Sequence, residues 1–247
     1  MYYSSSSLVI KSNDFKEADQ LVTLFTRKHG KLKAIARGVK KPKSSLRACV
    51  QPFCHSQLFF AAGKELDIIT QGRILEFYGN SREDYKRTLQ CLYLLELLDY
   101  ALLDRLPLPG LFDDLLKVLQ LVNDHPGQKL ALPWFEMNLL TTLGFKPELG
   151  VCKECGKEEV IFFDTEAGGM ICQTCGCRET GKTRIVLSAE SLSIARFLQH
   201  CSPDKTRRLK ISAQAGQQLE KFLSSNLEYR LERRSRVKKM LGNIHGD

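Results

Sequence analysis

Nine cysteines stand at positions 49, 54, 91, 152, 155, 172, 175, 177 and 201, and five of them fall within the 26 residues 152–177. Cys152-Lys-Glu-Cys155-Gly156 and Cys172-Gln-Thr-Cys175-Gly176 are two C-x-x-C-G knuckles with 16 residues between them. Two residues between the sulfurs let one tight turn offer both thiolates to one metal ion. The glycine that follows tolerates positive φ, so backbone N–H groups can point at sulfur. Two matched knuckles predict one zinc held by Cys152, Cys155, Cys172 and Cys175, although spacing alone leaves an iron–sulfur cluster open. Redox chemistry would need a single C-x-x-C. Four thiolates leave no coordination position for water, so the expected metal is structural. Cys177 is a candidate substitute ligand. The odd count argues against a disulfide framework, and Cys49, Cys54, Cys91 and Cys201 read as small buried or half-buried side chains.

The second chemical feature is charge. The chain has 37 Lys/Arg against 28 Asp/Glu, a formal +9, distributed as +7 over residues 1–79, −3 over 80–151, −1 over 152–187 and +6 over 188–247. The sharpest concentration is Arg27, Lys28, Lys31, Lys33, Arg37, Lys40, Lys41, Lys43 and Arg47, nine cations in 21 residues without one acid. Ordinary surfaces intersperse both signs, and such a run repels itself unless a polyanion neutralises it. No amphipathic helix accompanies it, which favours nucleic acid over a membrane surface. A later cluster, Arg230, Arg233, Arg234, Arg236, Lys238 and Lys239, spans nearly three turns of a helix and cannot all face one side. It reads as a secondary DNA or partner surface, or as a plain solvated helix.

Catalytic signatures are missing. There is no G-x-x-x-x-G-K-[ST], no G-x-G-x-x-G after a strand and no H-E-x-x-H, and the histidines at 29, 55, 125, 200 and 245 are scattered. Asp113-Asp114 are neighbours that point about 100° apart on a helix, which suits a solvated face better than a metal pair. Trp134 reads as a core anchor. Phe25, Phe53, Phe59 and Phe60 are candidate stacking platforms for bases, with core packing the better reading of each. A binding protein without turnover is expected, not an enzyme.

At 247 residues, 43% hydrophobic and 26% charged, the chain can bury a real core, which excludes a disordered tail protein and a disulfide-stapled mini-domain. No stretch approaches the roughly 18 uninterrupted apolar residues of a membrane span, and MYYSSSSLVI lacks a basic start before an apolar block, so a cytoplasmic protein is expected. The first 80 residues read as β: Ser7–Ile10, Gln20–Thr26, a His29-Gly30 turn, Lys31–Ala36, Phe53–Ala61 and Glu65–Tyr78. Five short strands with basic connections fit a small closed barrel, OB-like or SH3-like on periodicity alone. From Ser81 the apolar spacing becomes helical, with Pro107 and Pro109 ending the first segment. Leu111–Val122, Leu132–Leu143, Ser188–Cys201, Ser212–Asn226 and Glu228–Leu241 follow as helices. Val160–Phe163 and Ala167–Met170 suggest a short hairpin between the knuckles, as in zinc ribbons.

These features together resemble the bacterial RecO family. LVTLFTRKHGKLKAIARGVKKPKSSLRACVQPF (21–53) is similar to the family's turn, strand end, basic loop and "L-Q-P-F"-type segment. FEMNLLTTLGFKPELGVCKECG (135–156) is similar to its helix, "L-G-F-x-P" exit and first zinc knuckle, and LEYRLERRSRVKKML (227–241) to a basic closing helix. The resemblance implies an α+β multidomain fold: an N-terminal OB-fold barrel (1–80), an all-α helical domain in two parts (81–149 and 188–247) and an inserted four-cysteine zinc module (150–187). It also implies binding of single- and double-stranded DNA, annealing of complementary strands, and work with RecR. With that partner the family helps RecA load onto DNA coated by single-strand-binding protein (SSB), whose acidic C-terminal tail it binds. Two rival classes remain on the residues alone. A metal-dependent nucleic-acid enzyme would need carboxylates or histidines beside the basic run, which holds only His29. A zinc-ribbon RNA-binding or transcription factor would show base specificity or a preference for RNA.

Overall fold

The computed structural model describes residues 1–177 and 184–243. They divide into two compact units, Met1–Pro126 with the C-terminal segment from Ser235, and Gly127–Arg234. Residues 178–183 of the expected zinc module, and His245, lie outside the described residues.

The first unit begins with five strands, β1 (Tyr2–Asp14), β2 (Gln20–Thr26), β3 (Gly30–Ala36), β4 (His55–Ala61) and β5 (Asp67–Glu76). They close in the order β1-β2-β3-β5-β4 and back to β1, with β3 and β5 parallel and the other pairs antiparallel. The parallel β3–β5 contact, which a succession of hairpins cannot give, marks the five-stranded Greek-key barrel of an OB-fold and separates it from the SH3-like alternative. The first strand is much longer than the apolar tetrad Ser7–Ile10 suggested. Its first half pairs with β4 and its second with β2, and the register shifts between Val9 and Lys11. Ser5 and Ser7 are buried, and their hydroxyls donate to the carbonyls of Ser6 and Ser5 at 3.1 and 3.0 Å. Hydropathy missed these positions because a small hydroxyl that satisfies itself on the backbone can occupy a buried strand position.

Val9, Val22, Leu24, Leu32, Ala34, Leu58, Phe60 and Ile69 fill the barrel. The β3–β4 connection supplies Val39, Leu46, Cys49 and Val50 to the same core, so the basic loop is anchored by its apolar residues. At the parallel edge, buried Asp67 accepts from Tyr3 Oη and Arg105 Nη2, each at 2.6 Å, and from the Gly63 amide at 3.2 Å. Burial opposes the charged form, but these three donors hold the carboxyl below its usual pKa; burial and the Asp67 bond push the Tyr3 phenol up to about 12.

His55, on β4, shares a 2.7 Å hydrogen bond with Ser6 Oγ and lies edge-on to Phe112. Burial lowers its pKa, partly opposed by the carboxylate of Glu76. The unfolded chain protonates this imidazole near pH 6.5, so the native state is favoured above that value and loses the contribution as pH falls below it. The thermal midpoint is therefore expected to fall from pH 7 to pH 5, and His55→Gln to flatten that decline. An unchanged slope in a denaturation series would contradict this assignment.

Helices α1 (Gly79–Glu83), α2 (Tyr85–Ala101) and α3 (Pro109–Asp124) follow the barrel. Asp84 is the N-cap of α2 and accepts from the Arg87 amide at 2.8 Å. Pro109 does not end a helix; it occupies the first turn of α3, where its missing N–H costs nothing.

The second unit comprises α4 (Ala131–Thr142), β6 (Phe162–Asp164), β7 (Gly169–Ile171), a single turn α5 (Gln173–Gly176), β8 (Arg184–Val186), α6 (Ala189–Leu198), a 3₁₀ turn (Pro203–Arg208) and α7 (Ala213–Leu231). The three strands form an antiparallel sheet in the order β7-β6-β8. Phe163 meets Phe222 of α7 edge-on at 4.5 Å. Trp134 is buried and its indole N–H donates to the Cys201 carbonyl at 2.9 Å, the core anchor expected of it.

The expected break at Asn226 is absent: α7 runs through to Leu231 and stops at Glu232, which adopts φ 52°. A separate helix α8 (Arg236–Asn243) follows and belongs to the first unit. Glu96 of α2 accepts from Ser235 Oγ and from the amides of Arg236 and Val237, at 3.2 and 3.3 Å for the amides. Ser235 Oγ accepts from the Lys238 amide. A carboxylate from elsewhere in the chain thus caps this helix, and local spacing could not show it.

Candidate metal centre and nucleic-acid interface

The ligand atoms of Cys152, Cys155, Cys172 and Cys175 all lie within 4.8 Å of one another, and Cys155 Sγ is 3.6 Å from Cys172 Sγ. Tetrahedral zinc with bonds of about 2.3 Å separates its sulfurs by about 3.8 Å, so the donor set fits one ion. The first knuckle closes through the Gly156 amide to the Cys152 carbonyl, 2.9 Å, with Gly156 at φ 73°. In the second, Gly176 donates to Cys172 O at 2.8 Å and Cys175 N to Cys172 Sγ at 3.5 Å. Gly176 does not use positive φ, contrary to expectation, since it closes the helical turn α5. It is small because a Cβ there would stand 2.7 Å from the Phe162 ring. The ribbon hairpin is β6–β7, joined by β8 as a third strand. Cys177 is exposed at the C-cap of α5, outside the four-sulfur cluster.

The nine cations of the acid-free stretch divide into two groups. Four are held by the fold. Arg27 makes a bidentate pair with Asp113 of α3, both bonds 2.8 Å, which raises the arginine pKa and lowers that of the carboxyl. Lys31, with its side chain only 13% exposed, donates to the Asp99 carbonyl at 3.0 Å and lies 3.7 Å from Asp104. Lys40 pairs with Asp14 at 2.7 Å. Arg47 Nη2 donates to Lys40 O at 2.6 Å and shapes the loop itself. The other five, Lys28, Lys33, Arg37, Lys41 and Lys43, are exposed and have no carboxylate partner among the described residues. The carboxylates that partner the first group come from the end of β1, from the α2–α3 connection and from α3, up to 86 residues away. A count restricted to residues 27–47 could not include them.

The C-terminal cluster is divided between the two units. Arg230, Arg233 and Arg234 belong to the second unit, and Arg236, Lys238 and Lys239 to the first. Arg230 Nη2 donates to the carbonyls of Thr165 and Glu166, at 3.1 and 3.3 Å, so it fastens α7 to the β6–β7 turn. Lys238 lies over the Tyr93 ring at 4.8 Å. Arg234 is 3.7 Å from Glu228, and Arg233 and Lys239 are exposed. Arg230→Ala is expected to cost about 1–3 kcal/mol of stability by orphaning those carbonyls, with Arg233→Ala near neutral. Equal midpoints for the two variants in chemical denaturation would refute this.

Comparison with known proteins supplies the lineage. The family description "Recombination protein O N terminal" matches residues 1–78 and "Recombination protein O C terminal" matches 82–239. A DNA repair protein RecO of Syntrophomonas wolfei is 46% identical over 242 residues, covering 98% of this chain and 96% of that one. Those of Moorella thermoacetica and Bacillus pumilus are 33% and 32% identical, covering 99% and 90% of this chain and 92% and 87% of their own. The chain belongs to the RecO family. It is thus a RecO-family DNA repair protein with an OB-fold barrel, a helical region and a four-cysteine group able to hold a metal ion. No described helix is long and apolar enough to cross a membrane.

Within this RecO-family barrel the structure also sorts the aromatic rings. Phe25, Phe53 and Phe60 are buried; Phe59 is 42% exposed. Phe15, which the sequence reading passed over, is 43% exposed in the β1–β2 turn. That turn is tied to the basic loop by Lys40 N to Ala18 O, 3.1 Å, and Gly38 N to Asp19 Oδ1, 2.8 Å. A polar turn interrupted by one aromatic residue was the only available signal.

Proposed function

We propose that this chain is a recombination mediator that binds single- and double-stranded DNA, anneals complementary strands, and acts by binding without turnover. The observation that carries the reading is the set Lys28, Lys33, Arg37, Lys41 and Lys43, free of carboxylates on an OB barrel. Two polyanions repel, and a surface that neutralises phosphates lowers the barrier to bringing them together. Arg27, Lys31, Lys40 and Arg47 then belong to the same face as residues that shape it. Phe15 offers a ring on which an unstacked base can lie. The four thiolates hold one zinc as a structural ion, since a filled tetrahedral shell has no place for substrate. The family resemblance supplies the partners in this reading: RecR, the SSB tail and, through them, RecA, in the bacterial cytoplasm at the nucleoid.

Fluorescence-detected annealing of complementary oligonucleotides, bare and SSB-coated, across a salt series tests this function. Acceleration through the coat, steeply weakened by salt and independent of nucleotide, is the expected result. No acceleration, with a preference for RNA or one sequence, would favour a zinc-ribbon nucleic-acid factor instead.

A further inference from the structure

The four thiolates that fit one metal ion do not share one environment. Cys152, Cys172 and Cys175 are only 2–3% exposed, whereas Cys155 faces solvent. The first knuckle explains the difference. Cys152 is fixed on the inner side, where its amide donates to Lys157 O at 2.8 Å and its carbonyl accepts from the Gly156 amide at 2.9 Å. The chain between those bonds lies on the outside. Residues 153–159 are all exposed and, apart from Cys155 and Gly156, all are charged. Cys155 therefore stands at the hydrated rim of the cluster, with no apolar neighbour in that stretch to cover its sulfur.

The second knuckle sets a reaction partner against this rim sulfur. Cys172 Sγ lies 3.6 Å from Cys155 Sγ and is held in place by the Cys175 amide, which donates to it at 3.5 Å. A disulfide needs about 2.05 Å between its sulfurs, so the pair has roughly 1.5 Å to close. Oxidants attack thiolates that solvent can reach, and ligation to a metal keeps a cysteine deprotonated. Of the four donors, Cys155 alone combines thiolate character with an exposed sulfur. Cys177 is exposed as well, but it lies outside the four-sulfur cluster and has no metal to hold it as a thiolate.

We infer that Cys155 is an oxidant-sensitive modification site, at which a peroxide converts Cys155 and Cys172 to a disulfide and frees the metal. The Cys155 thiolate sulfur bonds to one peroxide oxygen as the O–O bond breaks. The leaving hydroxide takes a proton to become water, and Cys155 is left as a sulfenic acid. The Cys172 thiolate then attacks that sulfur, the S–O bond breaks, and the departing hydroxide takes a second proton. The two thiolates together lose two electrons and one peroxide gains them. This is a stoichiometric change in the protein, not turnover, and a dithiol reverses it. With two donors gone, the module keeps only Ile171, Val160 and Phe162 as its apolar support, so its order is lost with the ion. The inference rests on the four-thiolate zinc reading above.

The experiment treats the full, zinc-loaded chain with hydrogen peroxide, follows free zinc with a chromophoric chelator, and maps the cysteines by alkylation and peptide mass. The expected result is release of about one zinc per chain, a Cys155–Cys172 disulfide, and recovery of zinc binding after dithiothreitol. Cys155→His keeps four donors, since imidazole is an ordinary zinc ligand, and should slow the release by about tenfold. Cys152→His retains the reacting pair and should release zinc near the parental rate, as should Cys177→Ser. If the histidine variants do not load, the disulfide map of the parent decides. Zinc that stays bound under peroxide, a disulfide that omits Cys155 or Cys172, or equal release from Cys155→His and Cys152→His would overturn the site. A parent protein that carries no zinc before treatment would remove the four-thiolate reading itself, and this inference with it.

Discussion

Reversing charge at Lys33, Lys41 and Lys43 together is expected to lower affinity for a single-stranded oligonucleotide on the order of a hundredfold at about 0.1 M salt. The estimate follows from counterion release: each phosphate contact to a single strand contributes about 0.7 to the slope of log affinity against log salt, or roughly fivefold at that salt concentration. The same titration should show the slope reduced by about two. These three lysines are chosen because they are exposed and lack carboxylate partners, so folding asks nothing of their charge. Lys31 is the internal control. Its ammonium donates to the Asp99 carbonyl from a largely buried position, so Lys31→Gln should lower thermal stability and leave the salt slope nearly intact. Equal effects of the two substitutions on affinity would show that exposure does not select the binding residues.

Removing a metal ligand should have the larger structural effect. Cys172→Ala takes away one thiolate and also the acceptor of the Cys175 amide. Metal binding and folding are one equilibrium in small cysteine-rich modules, where structural zinc contributes on the order of 10 kcal/mol. The apolar support here is slight: Ile171 is the one buried aliphatic residue in the cluster with the buried cysteines, with Val160 and Phe162 packed beside them. Bound zinc is therefore expected to fall from about one ion per chain to near zero. Limited proteolysis should then cut within residues 150–187, while the barrel, with its own core, stays protected. Full zinc content in Cys172→Ala, or unaltered protection of that segment, would refute a structural four-thiolate site.

How far the sequence carries differs by feature. The knuckles were legible because metal-ligand spacing is local: two thiolates per turn must be three residues apart whatever surrounds them. Strand β2 was legible from its alternation, and β3 began one residue earlier than expected, at Gly30. The length of β1 was not, because its buried serines look polar in sequence and are satisfied only within the strand. The single helix expected over Glu228–Leu241 failed for a related reason. Its residues suit a helix throughout, but Glu232 turns left-handed and Glu96, 139 residues before Ser235, caps a new one.

By itself the sequence determined the four thiolates, the excess of positive charge in the first 80 residues and the change from two-fold to helical apolar spacing. All three depend on residue type and short-range order. Only the tertiary structure decided the barrel's closure, since the β3–β5 pairing joins strands separated by the whole basic loop. It also decided which cations are free. Asp113, Asp99 and Asp14 reach Arg27, Lys31 and Lys40 through folding, or do so through a backbone carbonyl, and leave Lys33, Lys41 and Lys43 to the solvent. Charge is written in the sequence, but its neutralisation depends on distances of a few ångströms between residues far apart in the chain.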